Sequence, residues 1–294
     1  MAAMASYRSA TVDDVLGRYF ELLEEEYAEA ESFLTREELN VYRSYYPRMR
    51  QSLKDASYRA QALRLFARGT MRWLAQDLLD RSGLTLLDAG SGMGTESFLF
   101  SLLGAQVTGI DLRKERVEVA NKRKCRFEEK LGVPLDVSFK AESVFSLDRK
   151  PAFDRIWVSE AISHIDPAEE FLGLAYDIVR PDGLIVITDA NGFFPLNQIR
   201  LLRERGLKIH TRMRVGDSEE TVPYAVERVF SPGRICGLLR SCGFEIKHVE
   251  SHLVGRSKFS DRVFSSVVTR LERLPMIGTL LGRTYVVAGR KPLR

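Results

Sequence analysis

The spacing of apolar positions changes period along the chain. Beyond Thr11, the residues Tyr19, Leu22, Leu23 and Tyr27 recur at helical intervals around Glu24, Glu25 and Glu26, which predicts a helix. Thr11 ahead of Asp13 and Asp14 offers an N-cap with acids in the first turn, where the helix dipole favours negative charge. Residues 1–83 read as helical throughout, a cap or lid on the remainder of the chain. From Leu84 short apolar runs alternate with longer amphipathic segments. Strands are predicted at Leu84–Leu87, up to Asp111, over 135–140, at Phe153–Ser159, at Leu184–Asp189, from Gly243 and from Tyr285. Helices are predicted from Thr95, over Arg113–Leu131, from Pro167 to about Arg180, over Pro195–Arg205, from Ser231-Pro232, and over Ser260–Leu274. In Asp166-Pro167 and Ser231-Pro232, a capping side chain precedes proline at the first helical position. Such alternation is that of a parallel sheet wrapped by helices, here an α/β doubly wound domain over 84–294. Regularity breaks over 191–230, read as an insertion in the substrate region.

Chemistry concentrates where the first strand gives way to a helix. Leu84-Thr-Leu-Leu-Asp88-Ala-Gly90-Ser91-Gly92-Met-Gly94-Thr places three glycines in a strand-to-helix turn, where the chain can bend sharply and a ligand can approach the main chain. The next strand ends in Asp111, and a carboxylate at that tip can accept both hydroxyls of a ribose. A pyrophosphate-binding turn carries Gly-x-Gly-x-x-Gly. Here the third glycine comes one residue too early for such a turn, and an acid precedes it.

Asp88 with Gly90-x-Gly92-x-Gly94, joined to Asp111, resembles the class I S-adenosylmethionine-dependent methyltransferases, in their small-molecule branch. The resemblance runs from about Leu84 to Asp189 and more loosely to the end. It implies a Rossmann-like seven-stranded sheet with the last strand antiparallel, and S-adenosyl-L-methionine as cofactor. It assigns Asp88, Gly90, Ser91, Gly92 and Gly94 to the methionine part, Asp111 to the ribose, Leu112 to the adenine face, and Glu142 and Ser143 to the adenine amine. Ser159 and Glu160 fall at the fourth-strand exit, which flanks the cofactor. Asn191 and Phe193-Phe194, after the fifth strand, fall where the acceptor pocket is often lined. Methyl transfer needs alignment above all, and a base only when the acceptor must lose a proton. His164, at the fourth-strand exit, is the candidate base; the bland alternative is a histidine that hydrogen-bonds its own turn. A Glu-plus-His metal site is not expected, because Ser163 stands where a second acid would be needed.

Composition narrows the partners. The 294 residues carry a net charge of +4, with 45% hydrophobic and 29% charged residues, as in an ordinary globular protein. No run approaches a membrane span, no signal peptide is evident, and three cysteines form neither a disulfide framework nor a metal spacing, so a cytoplasmic location is expected. From Asn191 onward, 19 Lys/Arg face 9 Asp/Glu, so the C-terminal third is basic and the remainder acidic. The basic residues are scattered, without the interleaved aromatics of a single-strand binder. The resemblance implies methyl transfer to a small or medium-sized acceptor, at oxygen first, with nitrogen and carbon as the other acceptor atoms. A nucleic-acid methyltransferase, a lipid or quinone methyltransferase with peripheral membrane contact through 260–274, a nicotinamide oxidoreductase and a non-catalytic cofactor-binding protein are the rivals. Oligomeric state is not legible.

Overall fold

The computed structural model describes residues 10–45, 69–226, 228–252 and 282–293. In chain order the elements are α1 (Val12–Phe33), α2 (Arg36–Tyr45), α3 (Gly69–Asp80), β1 (Thr85–Ala89), α4 (Thr95–Leu102), β2 (Gln106–Asp111), α5 (Lys114–Leu131) and β3 (Val137–Ala141). They continue with β4 (Phe153–Ser159), α6 (Ala168–Ile178), β5 (Val179–Ala190), α7 (Pro195–Arg205), β6 (His210–Arg214), β7 (Thr221–Ala225), α8 (Pro232–Ser241), β8 (Glu245–His252) and β9 (Thr284–Arg290). Seven strands make one sheet in the order β3-β2-β1-β4-β5-β9-β8, and β6 and β7 form a separate hairpin. β1 and β2, β2 and β3, and β4 and β5 pair in parallel, whereas β9 runs antiparallel to both β5 and β8. This is the Rossmann-like seven-stranded architecture that the family resemblance implies. The helix expected over 260–274, with its membrane alternative, lies outside the described residues, as do residues 46–68 of the segment expected to be a helical cap.

The chain divides into two compact units, one running to Ser143 and including Val215–Ser218, the other made of the remainder. In the first, Leu86, Leu87, Val107, Ile110 and Val137 of the strands and Phe98, Phe100, Val119 and Phe127 of the helices are buried. The cap of α1 is a reciprocal box: the Thr11 hydroxyl accepts from Asp14 N at 3.2 Å, and the Asp14 carboxylate accepts from Thr11 N at 2.8 Å. The acids of α1 and α2 find most of their partners on α5. Glu29 pairs with Arg126 and Lys130, Glu38 with Lys122, and Glu26 with Arg123. Asp13 pairs with Arg72 and Glu31 with Arg43.

In the second unit, Ile156, Trp157 and Val158 of β4, Ile185–Ile187 of β5 and Tyr285–Ala288 of β9 are buried, as are Phe171 and Leu172 of α6 and Ile235 and Leu239 of α8. Pairing of β4 with β5 skips between Phe153/Val179 and Arg155/Leu184, and Asp182 takes a left-handed φ of 64° in that bulge. The Arg180-Pro-Asp-Gly turn is thus absorbed into the start of β5. Ser231 caps α8 as expected, accepting from Arg234 N at 3.2 Å. Asp166 does not cap α6: the N-cap is Pro167, with no side-chain cap bond. The carboxylate of Asp166 is instead engaged by His210 and Arg228.

Candidate functional site

In the first unit the site grows from two adjacent strand ends. β1 and β2 run in register with Asp88 opposite Gly109 and Ala89 opposite Ile110. The Ile110 carbonyl accepts from Gly90 N at 2.8 Å and from Ser91 N at 2.9 Å, which folds the turn back over the end of β2. Gly94 N then donates to Ser91 O at 2.8 Å, and Gly94, at φ 76°, is the residue from which α4 starts. A Cβ on Gly94 would collide with the Phe139 ring, so this position is restricted to glycine by contact as well as by φ. Gly92 has φ 54° and nothing within 4 Å of where a Cβ would lie.

Asp111 closes this turn. Its Oδ2 accepts from Gly92 N at 3.0 Å and its Oδ1 from Arg113 N at 2.9 Å. Each carboxylate oxygen retains a further acceptor position, the requirement for two neighbouring ribose hydroxyls. Leu112, half-buried, gives its carbonyl to Gly216 N at 3.0 Å, and Lys114 pairs with Asp217. Glu142 is half-exposed and 3.7 Å from Lys140, while Ser143 is buried. An open glycine position beside the braced Asp111 carboxylate fits S-adenosylmethionine.

Asp88 lies behind the turn. It is 1% exposed, and its Oδ2 accepts the Ser97 hydroxyl at 2.5 Å, which ties β1 to α4 behind the turn. Burial pushes its pKa up to about 7, against the opposing effect of the Ser97 hydrogen bond; the neighbouring Asp111 charge adds to the rise.

In the second unit the fourth-strand exit is held by long-range bonds. Ser159 is half-buried, and Glu160 is exposed with a φ of 48°, a conformation costly for a residue with a Cβ and common at functional sites. Its N–H donates to Thr188 O at 2.8 Å, fixing the exit against β5. Ser163 N donates to Asp189 Oδ2 at 3.0 Å, and Ala190 N to Asp189 Oδ1 at 2.6 Å. Asp189 is fully enclosed, and burial pushes its pKa up to about 7. His164 lies with Nδ1 3.0 Å from the Ala225 carbonyl, its ring stacked on Tyr224 at 5.2 Å and 10°. The His164 carbonyl in turn accepts from Ala225 N at 2.9 Å. A carbonyl can only accept, so Nδ1 carries the proton and the Nε2 lone pair is the basic one. His210, exposed, sets Nδ1 2.9 Å from Asp166 Oδ2, and Arg228 lies 3.4 Å from Asp166 Oδ1. The inserted hairpin β6–β7 thus anchors the candidate base at its root. Asn191 is buried, donating from its side chain to Gly282 O at 2.8 Å, and Phe193 is 52% exposed.

Sequence reasoning missed Glu26, Arg123, Asp189, Tyr224 and Ala225. Asp189 had a signal, an acid ending an otherwise apolar strand. Arg123 had none: it sits in a charged helix whose other basic residues reach solvent. Among the described residues, no group of three or more His, Cys, Asp or Glu is placed to hold a metal ion, and no helix is long and apolar enough to cross a membrane.

Comparison with known proteins agrees with this geometry. A family described as "Methyltransferase domain" matches residues 80–228. The ubiquinone biosynthesis O-methyltransferase of Rhodopseudomonas palustris (strain HaA2) is 31% identical over 139 residues, which is 47% of this chain and 51% of that protein. The chain therefore spans about half the length of that relative. The erythromycin 3''-O-methyltransferase of Saccharopolyspora erythraea is 27% identical over 222 residues, covering 67% of each. Among solved structures, a SAM-dependent methyltransferase from Methanosarcina mazei superposes with a TM-score of 0.52 at 18% identity, covering 73% of this chain and 95% of that one. A sarcosine dimethylglycine methyltransferase-like protein from Galdieria sulphuraria gives 0.52 at 18% identity, covering 81% and 88%. With the glycine turn, the Asp111 tip and the β9 reversal in place, the chain belongs to the class I S-adenosylmethionine-dependent methyltransferase family.

Proposed function

We propose that the protein transfers a methyl group from S-adenosylmethionine to a hydroxyl of a small or medium-sized, largely apolar acceptor. The observation that carries this is Asp111, whose carboxylate is braced by Gly92 N and Arg113 N over an open glycine turn. When bound, the cofactor supplies a methyl carbon already activated by the adjacent sulfonium. The chain's own part is to bind, align and deprotonate. Asp111 holds the ribose and the glycine turn accepts the methionine end, with Leu112, Glu142 and Ser143 at the adenine side. Ser159 and Glu160 flank the acceptor side. His164, its Nδ1–H engaged by the Ala225 carbonyl, takes the hydroxyl proton at Nε2.

Two features support oxygen and an apolar acceptor. The Rhodopseudomonas and Saccharopolyspora relatives are both named O-methyltransferases. Phe193, Ile199, Leu202 and Leu207, which come after β5, are 52, 47, 59 and 89% exposed, apolar side chains in the segment where the acceptor is expected. A quinone-like or macrolide-like acceptor is consistent with both.

Calorimetry with S-adenosylhomocysteine on the native protein and on Asp111→Ala tests the cofactor half. Binding by the native protein and a loss of about tenfold or more in the variant is expected, as for one hydrogen bond pair to a charged group. Equal affinities would overturn the ribose assignment. Labelled-methyl transfer to a panel of prenylated phenols and macrolide sugars tests the acceptor. His164→Gln, which retains a donor toward Ala225, is expected to lower kcat about 10²-fold or more with KM for the cofactor little changed.

A further inference from the structure

The most enclosed charged pair among the described residues lies beneath the glycine turn, and nothing in the proposed chemistry uses it. Arg123 of α5 is 0% exposed and Glu26 of α1 is 2% exposed. The pair is bidentate, with Nε to Oε1 at 2.5 Å and Nη2 to Oε2 at 2.9 Å. The remaining nitrogen of the guanidinium points away from Glu26 and into the turn. Nη1 donates to Met93 O at 2.6 Å and to Thr95 Oγ1 at 2.9 Å. These two acceptors flank Gly94, the residue that must adopt a positive φ. The Tyr42 and Phe98 rings cover the guanidinium at 5.4 and 5.2 Å. Tyr19 of α1 adds a second tie, its hydroxyl donating to Thr95 O at 2.6 Å. The Met93 side chain is itself buried among Ala30, Leu34, Tyr42 and Val119.

We propose that Arg123 is a positioning residue for S-adenosylmethionine, held by Glu26, and that α1 is thereby an integral part of the cofactor site. A buried ion pair stabilises a fold little better than apolar residues of the same volume would, so stability alone does not account for it. What the pair provides is direction: a planar fork fixes two acceptors on either side of Gly94, and lysine cannot reproduce that geometry. A glycine-rich turn has more accessible backbone states than other sequences, and holding it in the binding conformation removes an ordering cost from ligand binding. By linkage, a ligand that needs the turn ordered also strengthens the docking of α1. α1 is then a coupled support, in place of the mobile lid that the sequence also allows.

The proposal rests on the S-adenosylmethionine assignment, and the test separates the two. S-adenosylhomocysteine binding is measured by calorimetry on the native protein, Arg123→Lys, Thr95→Val and the double variant Glu26→Met/Arg123→Met, alongside thermal unfolding and hydrogen exchange of α1. No binding by the native protein would overturn the cofactor assignment itself. With native binding intact, Arg123→Lys and the double variant are expected to lose about tenfold in affinity, the loss of one hydrogen bond from a charged group. Thr95→Val, which removes one acceptor and leaves the ion pair in place, is expected to lose about threefold, as for one weaker hydrogen bond. Ligand is expected to slow exchange across Val12–Phe33 in the native protein and not in the double variant. Native-like affinity in a folded double variant, or in Thr95→Val together with Arg123→Lys, would overturn the proposal. If the double variant does not fold, the Thr95→Val and Arg123→Lys affinities decide it.

Discussion

Asp88 and Asp111 end neighbouring strands, yet their surroundings give the two carboxylates opposite chemistry. Asp111 accepts two backbone N–H groups and stays at the edge of the site. Asp88 is enclosed with Ser97 as its partner, and burial raises its pKa to about 7. In the unfolded chain an aspartate titrates near its ordinary value, so the folded state holds this proton the more tightly. The stabilisation is complete below about pH 4 and is lost as pH rises through about 7. Asp189 contributes in the same direction. Asp88→Asn keeps an acceptor for Ser97 and removes the titration. Its unfolding free energy relative to the native protein is therefore expected to improve between about pH 5 and pH 8. Denaturant titrations at both values check this, and a pH-independent difference would sink it. Both acids were visible in the sequence as strand-ending carboxylates. What separated them was enclosure by α4, which depends on where Ser97 lands.

At the scale of elements, the hairpin β6–β7 was the least legible part of the chain. A turn signal was nonetheless present: Val215-Gly-Asp-Ser stands between the alternating runs His210–Arg214 and Thr221–Ala225, as a hairpin requires. Its partners had no local signal. The tip docks at the end of β2, through Gly216 N to Leu112 O and Lys114 to Asp217, with Gly216 at φ 54°. A β-branched side chain at that φ costs about 1–2 kcal/mol. Gly216→Val is therefore expected to loosen the tip and to speed S-adenosylhomocysteine dissociation several-fold, with the unfolding midpoint of the whole protein little changed. Stopped-flow displacement measures it; an unaltered dissociation rate would show that the tip does not cover the adenosine end.

For the whole molecule, buried strand residues carry stability and the proposed cofactor groups lie at strand ends of the first unit, so the two are separable. Ile187, 0% exposed, lies on β5 opposite Val158 of β4 and Val287 of β9. Ile187→Ala is expected to cost about 2–4 kcal/mol by leaving a cavity in the sheet's apolar layer. Its affinity for S-adenosylhomocysteine is expected to remain native, because the binding groups of the first unit lie on other strands. A drop in affinity matching the loss of stability would contradict that separation. Saturating ligand at about 100 times Kd is expected to restore about 2.7 kcal/mol to the variant.

The order of elements, the glycine turn and the acid at the tip of β2 were determined by sequence, because period, turn chemistry and capping act over a few residues. Even the antiparallel final strand came with the family resemblance carried by that turn. The partners of single side chains were decided only by tertiary structure. Asp166 reads locally as a helix cap and is instead taken by His210 and Arg228. His164 gains its tautomer from a carbonyl 61 residues away, and Arg123 gains its carboxylate from a helix 97 residues earlier. Hydrophobic spacing says which face of a helix is buried. It does not say which residue of another helix that face will meet, and buried polar groups must be satisfied by whatever the packing brings within about 3 Å.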